Sequence, residues 1–185
     1  MRLRIKLGAM AVATAAATFL VAGPAMAGTT GHVRSVSGNE YISGAVYGQA
    51  VLAQTTTLPL KFRGLVRTYS NFTLPNNNGN TATIPTPQGN LHLMIVGAMV
   101  STMKFLPGCY GIADTNFAIK VTGGTGVFRG AFGPGHVQLV FKAYLPRYTG
   151  RPHKGQCNPN GNPTTPKGAE AALYAQVTPL TIHVH

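Results

Sequence analysis

The run Val121-Thr122-Gly123-Gly124-Thr125-Gly126-Val127-Phe128-Arg129-Gly130-Ala131-Phe132-Gly133 decides the fold. An apolar segment, Asn116–Thr122, enters it. A second, Gly135–Tyr144, leaves it, with Val137, Leu139, Phe141 and Ala143 alternating with Gln138, Val140, Lys142 and Tyr144. A period of two puts one set on each face of a strand. Glycines between two such segments fit a tight turn with positive φ, followed by a bulge. A phosphate-cradling loop does not fit. No Lys-Ser/Thr follows the glycines, and Gly124-x-Gly126-x-x-x-Gly130 misses the dinucleotide spacing by one residue. The run predicts strand, turn, strand.

Outward from it the β pattern continues. In Leu58–Tyr69, Leu58, Leu60, Phe62, Gly64 and Val66 alternate with Pro59, Lys61, Arg63, Leu65 and Arg67. Leu180, Ile182 and Val184 alternate with Thr181, His183 and His185. Tyr41–Ala53 and Leu91–Ser101 are apolar on both faces, as in strands covered on both sides. Lys104–Cys109 is a shorter candidate, and Ala169–Tyr174 is read as a helical turn. Two stretches read as loops: Pro75–Asn80, with Pro85, Pro87, Gly89 and Asn90 behind it, and a Pro/Gly-rich segment at about 147–168. About eight strands suit an all-β barrel or sandwich. A closed antiparallel barrel is preferred because long two-sided strands leave hazardous edges unless the sheet closes.

Gly123, Gly124, Thr125, Gly126, Phe128, Gly130, Ala131 and Gly133 together resemble the GGTG-x-F/Y-x-GA-x-G signature of the allene oxide cyclase and dirigent barrel superfamily. The match covers roughly Phe117–Phe141. The resemblance implies an eight-stranded, calycin-like antiparallel barrel, often trimeric, with a hydrophobic cavity. Allene oxide cyclases cyclise a fatty-acid epoxide, and dirigent proteins steer phenoxy-radical coupling. Any enzymatic activity would accordingly be that of a cyclase or isomerase working by cavity shape. The signature marks a fold, and the family's catalytic acids have no counterpart here, so catalytic residues stay unassigned.

The first residues read as an export signal. Arg2, Arg4 and Lys6 precede an uncharged run from Leu7 to Ala22, and Ala25-Met26-Ala27 offers a cleavage site after Ala27. The alanine-rich run is shorter than the ~20 apolar residues that span a bilayer. Residues 1–27 are therefore expected to be a bacterial-type signal peptide, and 28–185 one secreted domain without a membrane span. Three of the fifteen Lys and Arg residues lie in the leader, leaving twelve against three acids, a formal charge of +9. Such a field attracts polyanions, and it also keeps an exported protein soluble. Export disfavours nucleic acid as a partner. Cys109 and Cys157, the two cysteines, predict one disulfide in an oxidising compartment; the alternative is two free thiols.

Chemistry-bearing residues are sparse. Glu40, Asp114 and Glu170 read as ordinary surface acids, too few and too scattered for the paired carboxylates of glycoside hydrolysis. His183 and His185 would share a strand face. With His32, His92, His136 or His153 they could approach a zinc set, but no acid stands near for outer-shell support. No metal, cofactor or hydrolytic triad is expected. Two function classes remain. One is a barrel holding a small apolar ligand, with Gly44, Gly48 and Gly64 leaving room inside. The other is a module for anionic surface polymers, using Lys61, Arg63 and Arg67 on one strand face. A homo-oligomer, dimer or trimer, is compatible with either.

Overall fold

In a computed structural model of the protein, the described residues are 34–52, 56–74, 77–78, 80–163 and 165–184. The expected leader and its cleavage site, His32 and His185 lie outside them. The chain forms β1 (Arg34–Tyr47), a single helical turn α1 (Gln49–Leu52), β2 (Thr56–Gly64), β3 (Tyr69–Leu74), a two-residue β4 (Asn77–Asn78), β5 (Thr81–Thr86), β6 (Gly89–Leu106), β7 (Tyr110–Gly124), β8 (Gly133–Tyr144) and β9 (Thr165–Val184). All pairings are antiparallel, in the order β3-β2-β1-β9-β8-β7-β6-β5-β4. The sheet curls until β3 lies beside β5, giving a nearly closed eight-stranded barrel.

Alternation sets the core. In β2, Leu58, Leu60 and Phe62 are buried while Pro59, Lys61 and Arg63 are exposed. Ile42, Leu91, Ile119, Val121, Val177 and Leu180 meet them inside the barrel. Removing this apolar surface from water at about 25 cal/mol per Å² is the main term holding the sheet curled.

Several expectations need correction. The Ala169–Tyr174 stretch is not a helical turn: it belongs to β9, where it pairs with both β1 and β8. Paired on both sides, its small residues let neighbouring elements pack closely, and tertiary pairing overrides alanine's helix propensity. Lys104–Cys109 is not a separate strand, since β6 runs unbroken to Leu106 across a bulge between Val96 and Val100. The segment after Asn80 is not all loop. β5 occupies Thr81–Thr86, and Pro85 is tolerated there because the strand lies near a sheet edge. The Leu58–Tyr69 strand ends at Gly64 and turns back into β3, which removes Arg67 from the strand face. Gly44 and Gly64 do not leave room for a ligand. A Cβ on Gly44 would lie 2.2 Å from the Pro59 carbonyl oxygen, and one on Gly64 2.1 Å from that of Asn39. Both glycines serve the close approach of β1 to β2, and Gly48 is a turn residue at φ +66°.

Candidate functional site: the open end of the barrel

Five strands outrun the packed core. Their register stacks the inward-facing residues in rows. Phe117, Val137, Ala175 and Ile42 form one row; Ser101, Thr115, Leu139, Leu173 and Gly44 the next. Then come Met103, Ala113, Phe141, Ala171 and Val46, and last Phe105, Gly111 and Ala143. The inner face thus stays apolar to its end. Near β9 it is covered, with Ala169 and Ala171 buried and α1 packed against that strand. On β6 and β8 it is open: Met103 is 37%, Phe105 40% and Phe141 39% exposed. One polar pair interrupts it, the Ser101 and Thr115 hydroxyls 2.9 Å apart. At the far end Gly111 has no side chain, so Phe105 and Leu145 pack over its backbone. An apolar trough with one hydroxyl pair can take up an apolar molecule and orient a single polar group on it.

The predicted disulfide is present and closes the rim of this end. Cys109, in the β6–β7 turn, is bonded to Cys157 with an S–S distance of 2.04 Å. The 145–163 loop is tied to the strand tips by the Leu145 N–H to Cys109 carbonyl bond (3.0 Å) as well as by the disulfide, and the Arg147–Cys157 bridge holds the loop's two arms together. The Tyr110 and Tyr144 rings are in contact, 4.9 Å apart and tilted by 56°, and the Tyr110 hydroxyl donates to the Gly168 carbonyl at 2.8 Å.

The glycine-rich run closes the other end. Phe128, on a 3-10 turn over Gly126–Phe128, is fully buried and stands 6.1 Å from Phe62. Thr125 binds Asn90 twice: its N–H donates to the Asn90 carbonyl, and its hydroxyl accepts the Asn90 N–H, both at 2.9 Å. A Cβ on Gly124 would sit 2.0 Å from the Asn90 carbonyl oxygen, one on Gly126 2.0 Å from that of Gln88, and one on Gly133 2.2 Å from that of Pro179. Gly123, Gly126 and Gly130 hold positive φ, and Ala131 is buried. The signature positions are thereby accounted for by close packing or, at Gly123, by positive φ.

Glu40 is not a surface acid. It is wholly buried, on β1 where the β9 ladder slips by one residue, and its Oε2 accepts the Val66 N–H at 2.7 Å. Its Oε1 has no partner at hydrogen-bonding distance among the described residues. Burial pushes its carboxyl above the ordinary value, opposed first by the Val66 amide and then by those of Arg63, Leu65 and Tyr41. Glu40 keeps step with Ile42 on the inner face of β1, between the exposed Asn39 and Tyr41; in sequence the strand reads as starting at Tyr41, which leaves Glu40 outside it. Asp114 accepts from Asn116 and Gln138, both at 2.8 Å, and Glu170 pairs with Lys142 Nζ at 2.8 Å. The hydrogen bond from Lys142 to Glu170 raises the Lys142 pKa. The three acids do not converge on a common site.

Lys61 and Arg63 lie exposed on the outer face of β2, beside Tyr69 and Tyr41 respectively. Arg67 is exposed in the following turn, in a surface groove that also contains Gln88 and His183. His183 Nδ1 is 3.0 Å from the Ser35 hydroxyl. Among the described residues no three His, Cys, Asp or Glu side chains gather as a metal set. Nor is any helix among them long and apolar enough to cross a membrane. A shallow depression of about 620 Å³ on the outer face is lined by Lys120, His136, Phe132 and Gln176, among others.

No family model, curated protein or solved structure matches this chain.

Proposed function

We propose that the protein is an exported carrier or binding protein that takes a small apolar molecule into the open end of its barrel. The observation that carries this reading is the exposure of Met103, Phe105 and Phe141 on a face that is otherwise the barrel's core. Elsewhere that face is packed by its own side chains, so a ligand is what would complete it. The disulfide fits an oxidising compartment, and with the basic charge and the leader pattern it supports export. The GGTG-type run supports kinship with the allene oxide cyclase and dirigent barrels, whose ligands are fatty-acid-like or phenolic. The scarcity of acids leaves shape and desolvation as the means for any cyclisation. Thermal-shift titration with long-chain fatty acids and phenols tests the reading. Stabilisation by at least one class, lost in Phe141→Lys while the fold persists, is the expected result. No stabilisation by either class removes it.

A second reading has its own observation. Lys61 lies next to Tyr69, and Arg63 next to Tyr41, on the outer surface of β1–β3; the tyrosines are 63% and 46% exposed. Cations interleaved with open aromatic rings suit an acidic polysaccharide of the cell surface. Retention on immobilised heparin that falls steeply with salt, and falls further in Lys61→Gln/Arg63→Gln, would support it.

A further inference from the structure

The β6 strand leaves an edge open. β5 covers it only from Gly89 to Met94, and the Ile95 N–H makes one more bond, to the Asn80 carbonyl at 2.6 Å. From Val100 to Leu106 the strand is regular on its β7 side, and none of the described residues pairs with its other side. Each of these seven residues is exposed. Alternate N–H and C=O groups therefore face outward in strand geometry. Natural edges are guarded by charges, prolines, bulges or a covering element. Here the bulge lies before Val100, no proline interrupts the stretch, and Lys104 is its only charge.

We infer that Val100–Leu106 is a dimerisation edge, which pairs antiparallel with the same segment of a second copy and extends the sheet across a two-fold axis. The occupant follows from self-complementarity. Open main-chain groups of an edge are satisfied by another strand, and this segment is itself a strand of equal length. With the axis at Met103, the centre of the stretch, Val100 faces Leu106, Ser101 faces Phe105 and Thr102 faces Lys104. Apolar side chains then meet across the axis. Val100 and Leu106, 63% and 48% exposed, gain a partner on the outer face. Each Lys104 sits opposite a threonine rather than opposite its twin, so the local charge does not forbid the pairing. The high net positive charge does oppose it at long range, so association should tighten as salt rises. The inference does not rest on ligand binding, although Ser101, Met103 and Phe105 of the same segment face the trough; the variants that test it, at Val100 and Leu106, lie on the outer face.

Sedimentation of the mature, oxidised protein over a concentration series tests it. A mass of two chains, favoured by salt, is expected. Val100→Lys/Leu106→Lys places four lysines around the axis and should sediment as a monomer with an unchanged circular dichroism spectrum. Met103→Cys should cross-link to its own copy under mild oxidation, with the Cys109–Cys157 bond intact. A wild-type monomer at every concentration overturns the inference. So does a dimer that persists in the double-lysine variant, which would place the interface elsewhere.

Discussion

Glu40 and Val66 are joined by a 2.7 Å hydrogen bond in which a buried carboxylate oxygen accepts a main-chain N–H from the β2–β3 turn. The bond ties the β2–β3 turn to β1. It does so with a carboxyl whose burial raises its pKa above the ordinary 4.5, opposed first by the Val66 amide. A carboxyl with a raised folded pKa binds its proton more tightly in the native state than in the unfolded chain. Its contribution to stability is therefore greatest below the unfolded value and is lost as pH rises through the folded one. Urea denaturation across the acidic range should show this loss in the wild type and not in Glu40→Gln, which keeps a carbonyl acceptor for Val66. Glu40→Ala should lose about 1–3 kcal/mol at low pH, because the Val66 N–H is then buried without a partner. Equal pH slopes for wild type and Glu40→Gln would show that Glu40 does not titrate as described.

Breaking the disulfide should cost stability without unfolding the barrel. The bond closes a 48-residue loop, for which chain entropy gives about 4 kcal/mol at most. Cys109→Ser/Cys157→Ser should lower the denaturation midpoint and open the 145–163 segment to protease first, since, among the described residues, its loop hydrogen bonds beyond that of Leu145 to Cys109 are made within the segment itself. Cleavage starting instead within β7 or β8 would contradict this.

Two substitutions test whether the glycine-rich run is a structural closure. Phe128→Ala empties a fully buried site and should cost about 3–5 kcal/mol. Gly124→Ala drives a methyl into the Asn90 carbonyl at 2.0 Å, and the backbone must shift to relieve it. Both should shift chemical denaturation strongly while leaving affinity for an apolar ligand nearly unchanged in the folded fraction. A selective loss of binding with no loss of stability would make the run part of the site.

Much of this was legible in the residues, and the reasons for success and failure differ. The alternation in Leu58–Phe62 announced a strand because one face is buried, and that in Val137–Phe141 because one face is apolar, although its burial fades from Val137 to the exposed Phe141. The cysteine pair announced itself by count. Ala169–Tyr174 misled because alanine's local preference is weaker than two flanking ladders. β5 was hidden by Pro85 within it and Pro87 just after it, since prolines mark loops unless the strand is close to an edge. Glu40 was missed because the strand reads as starting at Tyr41, although Glu40 keeps step with Ile42 on the inner face. The open trough could not be read at all. Met103, Phe105 and Phe141 look like core in sequence, and only the register shows that the strands carrying them run past the elements that would cover them.

Lys61 and Arg63 should act as a pair and Arg67 apart from them. The first two share the outer face of β2, whereas Arg67 lies in the turn. Neutralising Lys61 and Arg63 should flatten the salt dependence of heparin retention, and neutralising Arg67 alone should change it less. Equal effects from all three would mean that net charge, not a patch, governs retention.

The most direct test of the ligand-binding account uses the three methionines among the described residues, Met94, Met99 and Met103. Met94 is cross-strand from Lys120 on the outer face, Met99 sits in the β6 bulge, and Met103 faces the trough. The protein labelled at its methionine methyls is titrated with a long-chain fatty acid and, separately, with a phenol. The account predicts that the Met103 signal moves with saturation while the Met94 signal stays in place. Saturable movement of Met94 with Met103 unmoved, or no movement of any signal with either ligand, would contradict it.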